Sequence, residues 1–212
     1  MANFEIEKSF FDRGYRLIAG VDEVGRGALF GPVVATAVIL PSAWISGEGP
    51  LWLRQTNDSK LLSPKKRMEL ARFIRAQAVA VASGFSTSLE IDQQNIFRAS
   101  LEAMKRAVAR LPITPDFVLV DGFEIRDCPL PQKGIPGGDR KSYSIAAASI
   151  VAKVLRDRMM SQYDRRYRGY ALGRNKGYGT EAHFQALEGL GPTPLHRKSF
   201  KLQAEKKLFS SS

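Results

Sequence analysis

Two apolar runs near the start of the chain, separated by only seven residues, constrain its fold more than any other feature. The first, RLIAGVDEV at residues 16–24, carries two adjacent carboxylates near its end, and the second, PVVATAVIL at residues 32–40, is rich in β-branched side chains. Both have the length and composition of buried strands. Because the segment between them, GRGALFG, suits a turn, we expect the two strands to pair as antiparallel neighbours.

Shorter strand-like runs and helical patterns alternate along the rest of the chain. Residues 79–89 and 116–122 have the composition of strands. The spacing of apolar residues predicts three helices, the first of them capped by a serine, at residues 63–78, 91–111 and 145–167. Strands and helices interleaved in this way predict a mixed α/β domain built on a central sheet.

The chain carries a large excess of basic residues, since 32 Lys and Arg against 21 Asp and Glu give a formal net charge of +11. Such an excess favours a polyanionic partner, usually nucleic acid or an acidic membrane face, although a basic surface without such a partner remains an alternative. No run approaches the roughly 20 apolar residues of a membrane helix, and the charged N-terminus lacks a signal-peptide core. The single cysteine, Cys128, excludes an internal disulfide, so we expect a cytoplasmic protein.

Two carboxylates follow strand-like runs and point to a metal site. Asp22 and Asp121 are both expected at or near strand C-terminal ends, the edge at which α/β sheets bind ligands. Carboxylates that meet there repel one another unless a cation neutralises them, and Mg²⁺ or Mn²⁺ prefers such hard oxygens. In a regular strand Glu23 points away from Asp22, so the strand must end or bulge at Glu23 if both serve one site. Asp22 as a strand-end residue, Glu23 as a solvated residue and Asp139 as a turn residue or cap remain alternatives.

Five segments, in this order and spacing, resemble the bacterial type 2 ribonucleases H, the ribonuclease HII family. They fall within about residues 16–200 and read GVDEVGRGALFGPVVATAVIL, NDSKLLSPKKR, LVDG, GGDRKSYSIAAASIVAKVLRDRMM and NKGYGTEAHFQALEGLGPTPLHRKSF. The resemblance implies an α/β fold of the ribonuclease H type, with a mixed central sheet flanked by helices. It also implies a single catalytic domain over residues 1–212, with a small helical and basic extension from about residue 180.

The same resemblance implies a metal-dependent endonuclease. Its substrates are RNA–DNA hybrids and single ribonucleotides embedded in duplex DNA, cut 5′ of the ribonucleotide to leave a 3′-hydroxyl and a 5′-phosphate, which connects it with DNA replication and repair. Two divalent ions, Mn²⁺ or Mg²⁺, are implied, and their catalytic ligands are Asp22, Glu23, Asp121 and Asp139. The role of Asp139 as a ligand is implied only by the resemblance, since its sequence context by itself also fits a turn residue. We expect a monomer with no membrane attachment.

Substrate contacts are also implied by the resemblance. The GRG segment reads the 2′-hydroxyl through main-chain groups, a tyrosine packs on the sugar at the RNA–DNA junction, and a lysine and the HRKSF run at residues 196–200 contact phosphates. On this chain the implied substrate-binding residues are Gly25, Arg26, Gly27, Lys60 and Tyr178. Taken alone, the glycines and the tyrosine also fit an ordinary turn, and the basic residues also fit a solvated surface.

Two other functional classes remain open from the residues. A non-catalytic binding module for RNA–DNA hybrids would use the same basic surface, but four convergent acids oppose phosphate binding unless metals cover them. Another metal nuclease of the same fold would lack the ribose-reading glycines and tyrosine. The only two histidines, His183 and His196, receive no catalytic role and are expected to be ordinary polar or cap residues.

Overall fold

A five-stranded sheet with helices on both faces forms the centre of the molecule. The computed structural model describes residues 2–47, 49–56 and 62–202. The strand order is β3-β2-β1-β4-β5, and the bounds are β1 Ile18–Val24, β2 Val33–Ile39, β3 Ala80–Ser86, β4 Phe117–Asp121 and β5 Gln132–Ile135. The two apolar runs pair as predicted, antiparallel from Ala19 opposite Ile39 to Val24 opposite Val34. β1 also pairs in parallel with β4, so the sheet is mixed, as expected.

Helices cover both faces of this sheet. Their bounds are α1 Glu5–Phe11, α2 Ser42–Ser46, α3 Pro64–Gln77, α4 Ser88–Gln94, α5 Ile96–Ala109, α6 Tyr143–Arg166, α7 Leu172–Asn175 and α8 Glu181–Leu190, with 3₁₀ helices at Leu51–Gln55 and Gly138–Arg140. α6 packs on β1 and β2 with α3 beside it, and α5 packs against β1, β2 and β3. No helix in the described ranges is long and apolar enough to cross a membrane.

The start of α6 lies directly against β1. The alanines at 146–148 are at most 1% exposed, and their small side chains permit this close approach. Gly20 of β1 lies beneath the same turn, where a Cβ atom would come within 2.1 Å of the Ser144 carbonyl carbon. The sequence therefore fixes the distance between α6 and β1 by removing side chains at their contact.

The helix predicted at residues 91–111 is two helices, α4 and α5. Asn95 separates them with a φ of 73° and a ψ of 162°, which no helix can contain. Its side-chain oxygen also accepts a hydrogen bond from the Arg98 amide and so caps α5. Apolar periodicity continued across this break, which is why the pattern alone indicated one helix.

The sequence pattern also missed α1 and β5. β5 is short and only Ile135 in it is buried, so it shows no apolar run and no strict alternation. At the other end of the chain, α7, α8 and the residues that follow pack on the segment between β1 and β2. Leu29 and Phe30 lie there in one apolar cluster with Met160, Tyr170, Leu172 and Leu187.

Candidate active site

The four predicted acids line a single cavity of about 750 Å³: Asp22, Glu23, Asp121 and Asp139. The parallel pairing of β1 with β4 ends at Val21 opposite Val120, so the acids of both strands lie at the C-terminal ends of these neighbouring strands. This arrangement follows from the sequence, since parallel strands end at the same edge of a sheet.

The expected end or bulge of β1 at Glu23 is wrong. The ladder between β1 and β2 continues regularly through Glu23 opposite Ala35 to Val24 opposite Val34. Glu23 nevertheless lines the same cavity as Asp22. At this point β1 already extends past its last pairing with β4, which is at Val21, and it continues to Val24.

Burial and mutual repulsion dominate the electrostatics of Asp22 and Glu23. Asp22 is 6% exposed, and its pKa is raised well above the usual value, first by burial and then by the charges of Glu23 and Asp121. Burial also raises the pKa of Glu23, while Arg26, whose Nη1 lies 3.3 Å from Oε1, opposes the shift. A site that keeps these acids ionised at neutral pH therefore needs additional positive charge.

A hydrogen bond to Asp121 holds the segment that carries the fourth acid, Asp139, at the cavity. Asp121 Oδ1 accepts a hydrogen bond from the Gly138 amide at 2.6 Å, which joins the end of β4 to the 3₁₀ helix that carries Asp139. A Cβ atom on Gly138 would lie 2.5 Å from Ile145 Cδ1 and 3.4 Å from Asp121 Oδ1, so the backbone approaches both side chains closely here. Asp139 is 9% exposed, and the nearest cation is Arg140, 3.9 Å away.

The donor set fits hard divalent cations, although no metal cage is preformed. Among the described residues, no group of three or more His, Cys, Asp or Glu side chains is arranged to hold a metal by itself. Within the same residues, Glu23 Oε2 is buried and has no hydrogen-bond partner. An unsatisfied carboxylate oxygen beside two further acids is what a bound Mg²⁺ or Mn²⁺ would satisfy and neutralise.

The GRG segment follows β1 at the rim of the cavity, and its two glycines have different surroundings. Gly25 has a φ of 94°, and a Cβ atom there would lie 2.1 Å from Arg156 Nε, so the fold itself requires this glycine. A Cβ atom on Gly27 would meet nothing within 4 Å. Both glycines and Arg26 line the cavity, but only Gly27 faces open space.

Tyr178 also lines the cavity and is tied to the GRG segment. It forms an isolated antiparallel bridge with Ala28, and the Leu29 amide donates a 2.7 Å hydrogen bond to the Gly177 carbonyl. The guanidinium of Arg156 lies 5.5 Å from the centre of the tyrosine ring. Lys60, the remaining predicted contact, lies outside the described residues.

Three further residues of the cavity were not identified as functional from the sequence: Arg67, Ser149 and Lys153. Ser149 hydrogen-bonds Asp22 and opposes the rise in its pKa. Lys153 pairs with Asp157 at 2.7 Å on the same helix. The predicted helix could have identified Ser149 and Lys153 as neighbours, because residues four apart lie on the same helix face.

The HRKSF run is in large part not a phosphate-binding surface, contrary to expectation. Arg197 is completely buried, and its Nε and Nη1 donate to the carbonyls of Gly31 and Arg26 at 3.0 and 2.8 Å. It therefore supports the GRG segment from behind. Lys198 is exposed, while its backbone amide donates to Asp92.

His183 and His196 are buried and hydrogen-bonded to each other, with Nε2 atoms 3.1 Å apart. His183 Nδ1 contacts the Tyr178 carbonyl at 2.9 Å, so this nitrogen carries a proton. His196 Nδ1 accepts from the Thr193 amide at 2.9 Å, so its proton is on Nε2. These histidines are not among the residues that line the cavity, and they form a pair that the sequence did not indicate.

Comparison with known proteins identifies the family of this chain. A family model described as Ribonuclease HII matches residues 19–203. Ribonuclease HII of Enterococcus faecalis is 49% identical over 92% of this chain and 74% of its own length, and that of Pelotomaculum thermopropionicum is 52% identical over 92% and 71%.

Solved structures show the same fold. RNase HII of Archaeoglobus fulgidus, solved with PCNA, has a TM-score of 0.71 at 23% identity and covers 90% of this chain and 98% of its own. Bst-RNase HIII, solved in complex with Mn²⁺, has a TM-score of 0.66 at 20% identity, over 89% and 68% of the two chains. The chain belongs to the ribonuclease HII family and is an endoribonuclease of the ribonuclease H type that hydrolyses phosphodiester bonds.

Proposed function

We propose that this protein is a metal-dependent endonuclease for RNA–DNA hybrids and for single ribonucleotides embedded in duplex DNA. It cuts 5′ of the ribonucleotide and leaves a 3′-hydroxyl and a 5′-phosphate. The observation that carries the proposal is the convergence of four acids in one cavity: Asp22, Glu23, Asp121 and Asp139. In a chain of net charge +11, such a cluster opposes phosphate binding unless cations cover it.

Two divalent ions, Mn²⁺ or Mg²⁺, complete the site when bound: they lower the pKa of the attacking water and stabilise the leaving 3′ oxygen. The residues that would hold them are the four acids that line the cavity, Asp22, Glu23, Asp121 and Asp139. Ser149 orients the Asp22 carboxylate, and the Gly138 amide fixes Asp121. The structurally related Bst-RNase HIII has been solved with Mn²⁺.

In this proposal, residues at the rim of the cavity distinguish RNA from DNA. Gly27 faces open space, so a ribose can approach its backbone without meeting a side chain. The 2′-hydroxyl is the group that separates RNA from DNA at one position. Tyr178 lines the same cavity, bridged to Ala28 next to Gly27, and packs on the sugar at the junction. Gly25 and Arg26 complete this recognition segment.

Basic residues around the cavity bind the duplex backbone. Arg67 and Lys153 line the cavity, and Lys198 is exposed at the start of the C-terminal segment. Lys60 is a further phosphate contact in this proposal. Each such contact releases counterions from the nucleic acid, which makes binding depend on salt. We place this activity in a cytoplasmic monomer that acts during DNA replication and repair.

The test is cleavage of a duplex that contains one ribonucleotide, with Mn²⁺, with Mg²⁺ and with a chelator, beside an all-DNA duplex of the same sequence. Cleavage 5′ of the ribonucleotide, only with metal and never on the DNA control, is the expected result. Asp22→Asn, Glu23→Gln, Asp121→Asn and Asp139→Asn should each reduce the rate on the order of 100-fold or more, since metal ions supply several kcal/mol of transition-state stabilisation. Asp12→Asn is the matched control, because Asp12 is an exposed acid paired with Lys8.

Each failure has a distinct meaning. Tight binding of the hybrid without cleavage under any metal condition would make the protein a binding module. Cleavage of the all-DNA duplex would make it a nuclease that does not read ribose. Near-normal activity in Asp139→Asn would remove that residue from the metal site.

A further inference from the structure

A fully buried carboxylate outside the cavity connects the N-terminal helix to the start of α6. Glu7 of α1 is 0% exposed. Its Oε1 accepts two hydrogen bonds, from Ser142 Oγ at 2.7 Å and from the Ser144 amide at 2.9 Å. The family match begins at residue 19, so α1 lies before the matched region.

The residues around this contact form a clamp on the first turn of α6. The Asn3 amide donates to the Lys141 carbonyl and the Tyr143 amide donates to the Asn3 carbonyl, both at 3.2 Å. Ser142 caps α6 by accepting from the Ile145 amide at 3.2 Å, while its own amide donates to the Gly138 carbonyl at 2.8 Å. The position of Ser142 is therefore set jointly by Glu7, by α6 and by the 3₁₀ helix.

Two groups of the candidate metal site depend on that position. Asp139 lies three residues before Ser142 on the 3₁₀ helix that Ser142 closes. Ser149, which hydrogen-bonds Asp22, lies on α6 less than two turns after Ser144. A shift of the first turn of α6 would move both groups relative to Asp121.

Attachment of α1 does not itself require a buried acid. Phe10 stacks on Phe117 at the start of β4, with ring centroids 4.0 Å apart, and an apolar cluster surrounds the pair. Burying a carboxylate is unfavourable, and Glu7 Oε2 has no hydrogen-bond partner among the described residues. An apolar residue at this position would avoid that unfavourable burial, so the acid has a use other than attachment.

We propose that Glu7 is a positioning residue for the metal site, which holds the first turn of α6 so that Asp139 meets Asp121 and Asp22 in the geometry that divalent ions need. The proposal rests on the proposed function, since it takes Asp139 as a ligand. Partners that orient metal ligands from outside the coordination sphere typically change metal affinity 10- to 100-fold when removed, on the order observed in other metalloproteins.

The test compares Glu7→Ala, Glu7→Gln and Phe10→Leu with the wild-type chain by Mn²⁺ titration. Binding is measured by calorimetry and by the rise in thermal unfolding temperature, and cleavage is measured at the same Mn²⁺ concentrations. Glu7→Ala should weaken Mn²⁺ binding roughly 10-fold or more. Glu7→Gln should bind Mn²⁺ almost as the wild type does, because an amide oxygen can accept both hydrogen bonds. Phe10→Leu should lower the unfolding temperature and leave Mn²⁺ binding unchanged.

Wild-type Mn²⁺ affinity in Glu7→Ala would overturn the proposal, and so would an equal loss in Phe10→Leu, which would show general destabilisation. Glu7→Asp replaces Glu7→Ala if the latter does not fold: its carboxylate is one methylene shorter, and the same weakening is expected. A wild-type chain that neither binds Mn²⁺ nor cleaves would instead overturn the proposed function. A wild-type chain that does both, with Glu7→Ala unaffected, would remove only the role of Glu7.

Discussion

Acidification from about pH 7.5 to about pH 5 should cost this protein about 2 kcal/mol of folding free energy through one buried histidine, His196. The cause is the hydrogen-bond pattern of the His183–His196 pair. Nδ1 of His183 donates to the Tyr178 carbonyl and Nδ1 of His196 accepts from Thr193, so the 3.1 Å contact between the Nε2 atoms is one donor facing one acceptor. A proton added to either ring would place two donors against each other or against an amide N–H.

The magnitude follows from the pKa of His196. Burial, and then the neighbouring His183, lower it from 6.5 to about 4. The unfolded chain takes up this proton near pH 6.5 and the folded chain only near pH 4, so stability is present above the unfolded pKa and is lost as pH falls through that window. The full loss is about 3 kcal/mol, and about 2 kcal/mol of it has occurred at pH 5. Burial lowers the pKa of His183 as well, and its contribution has the same sign.

The assay combines nuclear magnetic resonance with urea unfolding. The chain contains only two histidines, so the ring signals can be assigned with one variant. Buried acids with raised pKa values, such as Asp22 and Glu7, gain stability on acidification and partly mask the effect. His196→Asn provides the correction, since its side-chain oxygen can still accept from the Thr193 amide but does not titrate. The stability difference between wild type and His196→Asn should shrink by about 2 kcal/mol between the two pH values.

Two results would refute this reasoning. One is a ring titration with a midpoint near 6.5 for His196 in the folded protein, which would show that the pair accepts a proton freely. The other is a stability difference between wild type and His196→Asn that does not change with pH. Nitrogen shifts that place the proton of His183 on Nε2 would contradict the assigned hydrogen-bond direction.

The rim of the cavity supplies two further predictions. Gly27→Ala should unfold at the wild-type temperature, because its Cβ atom meets no protein atom, yet it should cleave a single-ribonucleotide duplex more slowly, because that atom occupies the space through which the sugar approaches. Gly25→Ala should instead destabilise the fold, because its Cβ atom would clash with Arg156. Equal unfolding temperatures for the two variants would contradict this distinction. Tyr178→Ala should reduce the cleavage rate more than Tyr178→Phe does, by an amount equivalent to roughly 1–3 kcal/mol of lost packing at most. The reduction should be larger on a single ribonucleotide than on a long RNA run, so rates are measured on both substrates. Unchanged rates in Tyr178→Ala would make Tyr178 a turn residue.

The sequence predicted the features that local patterns encode. Apolar runs of strand length predicted β1, β2 and β4, and the antiparallel pairing of β1 with β2. Because two of these runs end in carboxylates, the meeting of Asp22 and Asp121 at one sheet edge also followed. The order and spacing of the motifs then indicated the family, and the resemblance brought Asp139, which lines the same cavity, into the proposed metal site.

Features that depend on packing between distant segments could not be predicted. Whether Gly25 is needed for a ligand or for Arg156 depends on a side chain from α6. Arg197 was interpreted as part of a run that contacts phosphates, and only the fold shows the Gly31 and Arg26 carbonyls to which it donates. The expected end or bulge of β1 at Glu23 was wrong for the same reason, since the sequence does not record where the pairing of β1 with β4 stops.

The sequence by itself thus determined four of the five strands, the family and the convergence of the acids, because these depend on residue type and on short-range period. Tertiary structure alone decided which buried polar groups support those acids, including Glu7 beneath α6 and the histidine pair beside Tyr178. The physical reason is that a polar group is buried where a hydrogen-bond partner is available to it. The partner of Glu7 is 135 residues away along the chain, and no local pattern records that distance.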